Sequence, residues 1–322
     1  MARESGKSTE TLLFGKKVPN PVGVASGPAP NFRWLSFFSK LGYGILTYKT
    51  MRDRPWLGHQ MPNLLNVRGD FERGFVSSEA TTGSITNSLG MPTPDPEVWQ
   101  NDARTMAGIK GDRFFVMSVT ATPDAGGEES MLAQFASLAA ASKKSGADAV
   151  ELNLSCPNVL PGEGGETFTD AELSGKVVDA ARSGVGTDYP IFVKVGYLDD
   201  YAEFVRCTYD ERIAYVAINS ISGVVRDATG KVLFSDRGGK AGICGAAIRA
   251  KALQAVSKLA LLRSRGKEFP VIGLGGVLGP NDALALVEAG ADAIETASGA
   301  LLDPTLGLRV NLGLLEARAR GP

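Results

Sequence analysis

The chain has few of the side chains that build metal centres and disulfide frameworks. Its 322 residues include three cysteines and one histidine. Cys156, Cys207 and Cys244 form no CxxC pair and no zinc-ligand spacing. We therefore expect a reducing compartment, no bound metal, and neither a Ser-His-Asp triad nor a multi-histidine metal site. The single histidine, His59, lies in a polar, proline-flanked stretch, where a role in a surface loop is the simplest interpretation.

Long apolar runs and an excess of charge of one sign are also absent. No stretch of about 18 or more apolar residues occurs, and the first residues are polar, unlike a signal peptide. The 34 basic and 35 acidic residues give a net charge of −1, and no basic stripe stands out. The composition therefore predicts a soluble, cytoplasmic protein without nucleic-acid or membrane partners.

Short apolar runs alternate with amphipathic stretches along the chain. The apolar runs, rich in β-branched and aromatic residues, predict buried parallel strands at 21–27, 43–50, 113–120, 149–155, 190–197, 215–222, 270–276 and 292–299. The stretches between them predict helices at 31–41, 96–110, 128–145, 169–184, 200–209, 246–264, 280–289 and 305–318. This alternation predicts an α/β fold, a (β/α)8 TIM barrel. A doubly wound sheet is the alternative, although no GxGxxG follows the first strand.

Two connections are longer than a barrel needs. Residues 51–95 follow the second predicted strand and residues 222–245 follow the sixth. Loops of this length are usually functional or disordered, and in a barrel both would lie at the C-terminal face, over the active site. We divide the chain into an N-terminal extension, 1–18, and a single barrel domain, 19–318, with extended loops after strands 2 and 6.

Four asparagines fall at the predicted C-terminal ends of strands or in the loops beside them: Asn87, Asn153, Asn158 and Asn219. An amide offers two donors and two acceptors without charge, so four of them suit a flat ligand with alternating C=O and N–H groups, such as a pyrimidine ring. A single asparagine is more often a turn or cap residue. Four at one rim favour a ligand site.

Two lysines, Lys49 and Lys194, end otherwise apolar strands and should point toward the mouth of the barrel. A lysine there needs an anionic or electron-rich partner. Reduced flavin, which carries negative charge, is one candidate, and a structural salt bridge with a carboxylate such as Glu151 is the alternative.

Small residues end the last two predicted strands, in GLGGV and TASGA. Phosphate sites of this fold are typically built from these two loops, where backbone N–H groups bind the anion. Ordinary turn chemistry is the alternative interpretation.

The three cysteines differ in their predicted surroundings. Cys156 lies in a polar loop between two asparagines, where a thiol could act as a general base or be an inert buried group. Cys207 on a helix and Cys244 in a Gly-rich turn are not expected to be catalytic.

Together these segments resemble the dihydroorotate dehydrogenase family from about residue 19 to 310. The resemblance is carried by NPVGVASGP, TYKT, ITNSLGMP, VELNLSCPN, FVKVGY, AINSISG, GGKAGICG, VIGLGGV and TASGA. It implies an FMN-dependent flavoprotein oxidoreductase that oxidises (S)-dihydroorotate to orotate in de novo pyrimidine (UMP) biosynthesis. It also implies that Cys156 takes the proton from C5 while C6 gives a hydride to flavin N5. A cysteine base is typical of the soluble class of the family.

The family motifs also imply which residues bind each ligand. Catalytic roles fall to Cys156 and Lys49. The implied substrate residues are Asn87, Leu89, Gly90, Met91, Asn153, Asn158, Asn219 and Ser220. The implied cofactor residues are Ala25, Ser26, Gly27, Lys49, Ser118, Asn153, Lys194, Gly242, Gly275, Gly276, Ala297 and Ser298.

Two departures from the family pattern affect the implied function. The pair Ala297-Ser298 stands where the family usually shows Gly-Thr, and we expect the serine hydroxyl to preserve FMN binding. The loop 51–72 is longer than in the smallest soluble members. It leaves the electron acceptor open between fumarate in a homodimer and NAD through an iron–sulfur flavoprotein partner. This chain has too few cysteines for a cluster of its own.

Two rival functions fit part of the pattern. A dihydropyrimidine dehydrogenase-like enzyme is similar in its barrel, FMN and NLSCP stretch, but that family usually has histidine at the position of Asn158 and a further cysteine in the next loop. A non-redox sugar-phosphate isomerase or aldolase barrel would use the glycines of strands seven and eight and Lys194 as a Schiff-base lysine. It would leave the four asparagines and Cys156 unexplained.

Overall fold

Strands and helices alternate along the chain much as the sequence pattern predicts. The computed structural model describes residues 9–155, 166–263 and 266–320. The strands are β1 (Thr11–Leu13), β2 (Lys16–Val18), β3 (Val22–Val24), β4 (Ile45–Met51), β5 (Leu64–Asp70), β6 (Gly74–Ser78), β7 (Ser84–Asn87), β8 (Phe114–Val119), β9 (Ala149–Asn153), β10 (Ile191–Val195), β11 (Ile213–Ala217), β12 (Ile221–Gly223), β13 (Val225–Arg226), β14 (Ala241–Gly245), β15 (Val271–Leu274) and β16 (Ala293–Thr296). The α-helices are α1 (Phe32–Ser39), α2 (Pro96–Ile109), α3 (Gly127–Lys144), α4 (Ala171–Val185), α5 (Ala202–Thr208), α6 (Arg249–Arg263), α7 (Pro280–Glu288), α8 (Ser298–Leu302) and α9 (Leu306–Arg320).

Eight of these strands close into a barrel. Their order around it is β3, β4, β8, β9, β10, β11, β15 and β16, with β16 returning to β3. Every neighbouring pair is parallel. Each strand overlaps one predicted apolar run; the largest shift is in β11, which begins two residues before its run. The predicted (β/α)8 barrel is therefore confirmed, and the doubly wound alternative is wrong because the sheet has no open edge.

The lower end of the barrel is filled by apolar side chains and closed by a hairpin. Ile45, Phe114 and Phe192 point inward there and belong to one buried cluster. The antiparallel pair β1–β2 adds Leu13 and Val18 to the same cluster. Residues 11–18 of the N-terminal extension therefore complete the floor of the barrel core.

Three of the outer helices, α1, α2 and α4, begin at side-chain caps, and each buries an apolar face. Asp95 caps α2 by accepting from the Glu97 amide, and Asp170 caps α4 by accepting from the Leu173 amide. Gly186 ends α4 with φ +79°, a conformation that favours glycine. In the described part of the chain, no helix is long and apolar enough to cross a bilayer.

The two long loops form a second sheet at the C-terminal end of the barrel. Its order is β12-β14-β7-β5-β6-β13, so strands from 51–95 and from 222–245 interleave. The central junction is antiparallel, with Asn87 of β7 opposite Gly242 of β14. We call these six strands the cover sheet. The predicted position of both loops is confirmed, and much of their length is regular strand.

His59 connects the loop before β5 to the segment after β7 by hydrogen bonds. Its Nδ1 lies 3.0 Å from the Ser88 carbonyl oxygen, and its backbone N–H donates to the Leu89 carbonyl. The ring packs against Gly90, where an added Cβ would come within 2.9 Å of the ring and where φ is +69°. The half-buried ring therefore supports the Leu89–Gly90 turn, a more specific role than the surface-loop interpretation gave it.

The hairpin packing predicts unequal effects of two adjacent leucines. Leu13 is 1% exposed and Leu12 is 65% exposed. We expect Leu13→Ala to lower the free energy of unfolding by about 2–5 kcal/mol because it leaves a cavity in the barrel floor. Leu12→Ala should change it by less than about 0.5 kcal/mol. Equilibrium unfolding in urea measures both, and equal losses would contradict the assignment of Leu13 to the core.

The environment of His59 predicts a pH dependence of stability. Burial lowers the pKa of the His59 imidazole below 6.5, and the Arg237 charge adds to this, whereas the Ser88 carbonyl opposes it. Because the folded state then binds the proton less tightly than the unfolded state, the contribution of His59 is complete above pH 6.5 and is lost as pH falls through the folded pKa.

As His59 is the only histidine, its ring carbon resonance can be titrated directly by NMR. His59→Asn keeps a polar nitrogen near Nδ1 but does not titrate, so it should remove this part of the pH dependence of stability. A measured pKa at or above 6.5 would show that the buried environment of His59 is wrongly described.

Candidate active site

A cavity that opens to solvent lies between the C-terminal ends of the barrel strands and the cover sheet. This is the usual position of active sites in the fold. The predicted residues that line it are Ser26, Gly27, Lys49, Asn87, Leu89, Gly90, Met91, Asn153, Lys194, Asn219, Ser220, Gly275, Gly276, Ala297 and Ser298. Most of the predicted site therefore converges on one cavity.

The asparagines are linked to one another by hydrogen bonds. Asn219 Nδ2 donates to Asn153 Oδ1 at 3.2 Å and to the Ser155 carbonyl at 3.0 Å. Asn153 Nδ2 donates to Thr50 Oγ1 at 3.1 Å. These contacts fix which side of each amide is the donor, and they use both N–H groups of Asn219.

Thr50 reaches the cavity because β4 is irregular at its end. The pairing of β4 with β8 shifts register between Tyr48 and Met51, so the consecutive residues Lys49 and Thr50 both line the cavity. Thr50 Oγ1 also lies 2.9 Å from Ser118 Oγ. The hydroxyl of Thr50 therefore joins the asparagine network to the barrel interior.

Three residues predicted to bind the cofactor, Ala25, Ser118 and Gly242, are not among the lining residues. Ala25 and Ser118 are buried, and the Ser118 hydroxyl forms a hydrogen bond with the cavity-lining Thr50. Gly242 has a shaping role. An added Cβ there would lie 2.5 Å from Ser220 Oγ and 3.1 Å from Asn87 Nδ2, so only glycine lets β14 run against these two side chains.

Both lysines at the strand ends are buried beside the cavity, 8% exposed for Lys49 and 3% for Lys194. Lys194 Nζ lies 3.3 Å from Ser26 Oγ and 3.5 Å from Glu151 Oε1. The two interpretations of Lys194 are thus both met in part: it lines the cavity and it forms an ion pair with Glu151. Lys49 and Lys194 therefore both bring an ammonium group to the cavity wall, and that of Lys194 has Glu151 as its counter-charge.

The turn after β15 brings bare backbone to the cavity. Gly275 has φ +125° and Gly276 has φ +77°, and an added Cβ at Gly276 would lie 2.7 Å from Arg249 Cβ. Arg249 Nε donates to the Gly276 carbonyl at 3.0 Å. Ala297 and Ser298 line the same cavity after β16. The positive φ angles and the close contact with Arg249 therefore favour glycine at both positions, and the turn presents backbone without side chains at the cavity wall.

The prediction for the environment of Cys244 is wrong. Cys244 is part of strand β14 and not of a turn, and it lines the cavity, where its Sγ accepts from Asn87 Nδ2 at 3.2 Å. Cys207 lies on α5, outside the cavity lining. Cys156 and Asn158 lie outside the described residues.

The remaining lining residues are mainly apolar or small side chains that the sequence analysis did not select. They are Thr50, Leu64, Ile85, Ile218, Cys244, Gly245, Ile248, Leu274, Val277, Thr296, Gly299 and Leu301. Thr50 belongs to the TYKT segment, and its position directly after Lys49 could have indicated from the sequence that it lines the cavity. Leu64, Ile85 and Cys244 reach the cavity through the cover sheet, which no local pattern indicates.

Comparison with known proteins agrees with this geometry. A family model described as dihydroorotate dehydrogenase matches residues 8–316. Dihydroorotate dehydrogenase of Dictyostelium discoideum is 30% identical, with 92% of this chain and 86% of the relative covered. The catalytic subunit of dihydroorotate dehydrogenase B (NAD(+)) of Methanocaldococcus jannaschii is 27% identical, with 90% and 86% covered.

A solved structure supports the fold independently. The crystal structure of DHODH in complex with ferulenol from Eimeria tenella superposes with a TM-score of 0.78 at 17% identity, covering 99% of this chain and 87% of that one. The family match over nearly the whole length, joined to a lysine- and asparagine-lined cavity at the barrel mouth, shows that this chain belongs to the dihydroorotate dehydrogenase family.

Proposed function

We propose that this chain oxidises (S)-dihydroorotate to orotate with FMN as cofactor, in de novo pyrimidine biosynthesis. The observation that carries the proposal is the linked set Asn153, Asn219 and Thr50 in the same cavity as Lys194. Neutral amides suit the ring of a dihydropyrimidine, and the lysine suits an electron-rich cofactor. Family membership makes this pair of ligands the first choice.

The cavity fits FMN on two counts. The turn at Gly275 and Gly276 brings backbone without side chains to the cavity wall, which suits a phosphate approached by backbone N–H groups. Lys194, held by Glu151 and Ser26, supplies positive charge to the inner wall. When bound, FMN supplies the two-electron acceptor for the hydride that leaves C6 of dihydroorotate.

Substrate binding is assigned to the amide side of the cavity. We propose that Asn87, Asn153, Asn219 and Ser220 hold the ring and carboxylate of dihydroorotate, with backbone groups of Leu89, Gly90 and Met91. Their positions support this assignment because Asn87 and the Leu89–Met91 turn come from the cover sheet side and the others from barrel strands. A ligand between them would be enclosed on both faces, which excludes water from the reacting carbons.

The proton at C5 is assigned to Cys156. This residue follows Ser155, whose carbonyl accepts a hydrogen bond from the cavity-lining Asn219 at 3.0 Å. Loss of a proton from C5 to the thiolate and of a hydride from C6 leaves the C5=C6 double bond of orotate, which balances atoms and electrons. Lys49 would sit beside both ligands and complement their negative charge.

The electron acceptor and assembly are proposed from the names of the relatives. The catalytic-subunit name of the M. jannaschii protein supports NAD as acceptor through a partner subunit. A homodimer that uses fumarate is the other arrangement that the sequence predicts. A cytoplasmic location remains a prediction of the composition.

The first experiment is anaerobic addition of dihydroorotate to the purified protein while its absorbance is recorded. We expect the flavin band to bleach and orotate to form. A yellow protein that stays yellow would reject dihydroorotate as the substrate of the isolated chain. A colourless protein that cannot be reconstituted with FMN would reject the cofactor.

Cys156→Ala tests the base. We expect the variant to bind FMN and orotate as the wild type does, and flavin reduction by dihydroorotate to slow by about two to four orders of magnitude, because the proton at C5 has lost its acceptor. Cys207→Ala removes a thiol outside the cavity and serves as the matched control. Unchanged reduction in stopped-flow traces of Cys156→Ala would remove the thiol from the mechanism.

A further inference from the structure

Three ionisable side chains are buried inside the barrel below the cavity. Glu151 on β9 and Glu295 on β16 are both 0% exposed, and Lys194 on β10 is 3% exposed. Glu151 stands two residues before Asn153, and Glu295 two residues before Ala297, so both point inward one layer beneath the mouth. The described part of this layer therefore holds two carboxyl groups and one ammonium group.

The two carboxyl groups are held differently. Glu151 Oε1 lies 3.5 Å from Lys194 Nζ. The Glu295 side chain lies against Gly23 of the neighbouring strand β3, where an added Cβ would come within 2.8 Å of Glu295 Cγ. Its Oε1 accepts a hydrogen bond from Thr47 Oγ1 at 2.6 Å. Glu151 is thus the ion-pair partner of Lys194, whereas Glu295 is bound by a neutral hydroxyl.

Three carboxyl oxygens in this cluster have no hydrogen-bond partner in the described part of the chain. They are both oxygens of Glu151 and Oε2 of Glu295. If both carboxyl groups were ionised, the cluster would carry an excess negative charge in a fully buried site, which costs several kcal/mol per uncompensated ion. One added proton brings the cluster to neutrality.

We propose that Glu295 holds a proton at neutral pH, and that the neutral Glu295 is a positioning residue that leaves Lys194 with a single counter-charge. The charged groups that face Glu295 from other strands are Glu151 on β9 and Lys194 on β10, with Lys49 of β4 one layer above. Burial and, after it, the charge of Glu151 raise the pKa of Glu295 to about 8, although Lys194 and the Thr47 hydroxyl oppose the shift.

The proton state of Glu295 determines how much of the Lys194 charge reaches the cavity. With Glu295 neutral, Lys194 and Glu151 form one ion pair, and negative charge that develops on a ligand above Lys194 meets no second carboxylate. With Glu295 ionised, two carboxylates compete with that ligand for one ammonium group. This consequence rests on the proposed function, because it takes the ligand above Lys194 to be flavin. The protonation of Glu295 does not rest on the proposed function.

The first test measures thermal stability against pH for the purified full chain with its bound cofactor retained and no substrate added. A raised carboxyl pKa means that the folded state holds the proton more tightly, so stability falls as pH rises from 4.5 through about 8. Glu295→Gln copies the neutral acid and should remove this fall. Glu288→Gln makes the same chemical change at an exposed site on α7 and should keep it.

A second measurement needs no variant. Infrared spectra of the wild-type protein, with and without 13C-labelled glutamate, should show the carbonyl band of a protonated glutamic acid at neutral pH, lost above about pH 8. Absence of this band, or equal pH slopes in wild type and Glu295→Gln, would overturn the proposal.

The midpoint potential of the bound cofactor tests the link to Lys194. In the wild type its pH dependence should bend near pH 8, and in Glu295→Gln the bend should disappear. A bend that survives in Glu295→Gln would show that Glu295 does not act through Lys194. The stability and infrared results do not depend on the substrate. A result that rejects dihydroorotate oxidation is therefore distinct from a result that rejects the proton on Glu295.

Discussion

Parallel closure of the eight-stranded sheet is the constraint on which the rest of the molecule depends. Because β16 pairs with β3, every barrel strand delivers its carboxyl end to the same mouth. Residues far apart in sequence are thereby brought within hydrogen-bond distance; Thr50 and Asn153, bonded at 3.1 Å, are 103 positions apart. No local element could create that contact, and a break in closure would disperse the site.

The side chains inside the barrel change from apolar at the lower end to polar at the mouth. The lower layers are apolar and include the hairpin residues Leu13 and Val18. The layer of Glu151 and Glu295 contains ionisable side chains that are fully buried, and the mouth above it is polar and open. Lys194 bridges the two upper layers, since it contacts Glu151 below and Ser26 beside the cavity. A buried charge is tolerable there only because each group has a counter-charge or a proton to offset its desolvation.

The cover sheet turns an open barrel mouth into an enclosed site. Its strands come from two loops, joined where Asn87 lies opposite Gly242. Close approach at this junction requires a glycine, and His59 then secures the adjoining turn at Gly90. The position of the cavity-lining amide of Asn87 is therefore set by contacts within the cover sheet as well as by its own strand.

Local sequence pattern determined the eight barrel strands and the helices between them, and the resemblance of the motifs indicated the family. Burial on both faces of a parallel strand imposes a continuous apolar run, and that run is visible in any single segment. The rim residues were predictable for the same reason, because the end of an apolar run marks the end of a strand. Asn153, Lys194 and Gly275 follow directly from this rule.

Only the tertiary structure decided which neighbours these residues have. The bulge that turns both Lys49 and Thr50 into the cavity depends on the pairing of β4 with β8, and the inward position of Cys244 depends on the pairing of β14 with β7. The run DAIETASG predicted a strand, but whether Glu295 meets a lysine, a second carboxyl group or solvent depends on three other strands. Contacts of this kind arise from closure and register, which are properties of the whole sheet, so no single segment of sequence carries them.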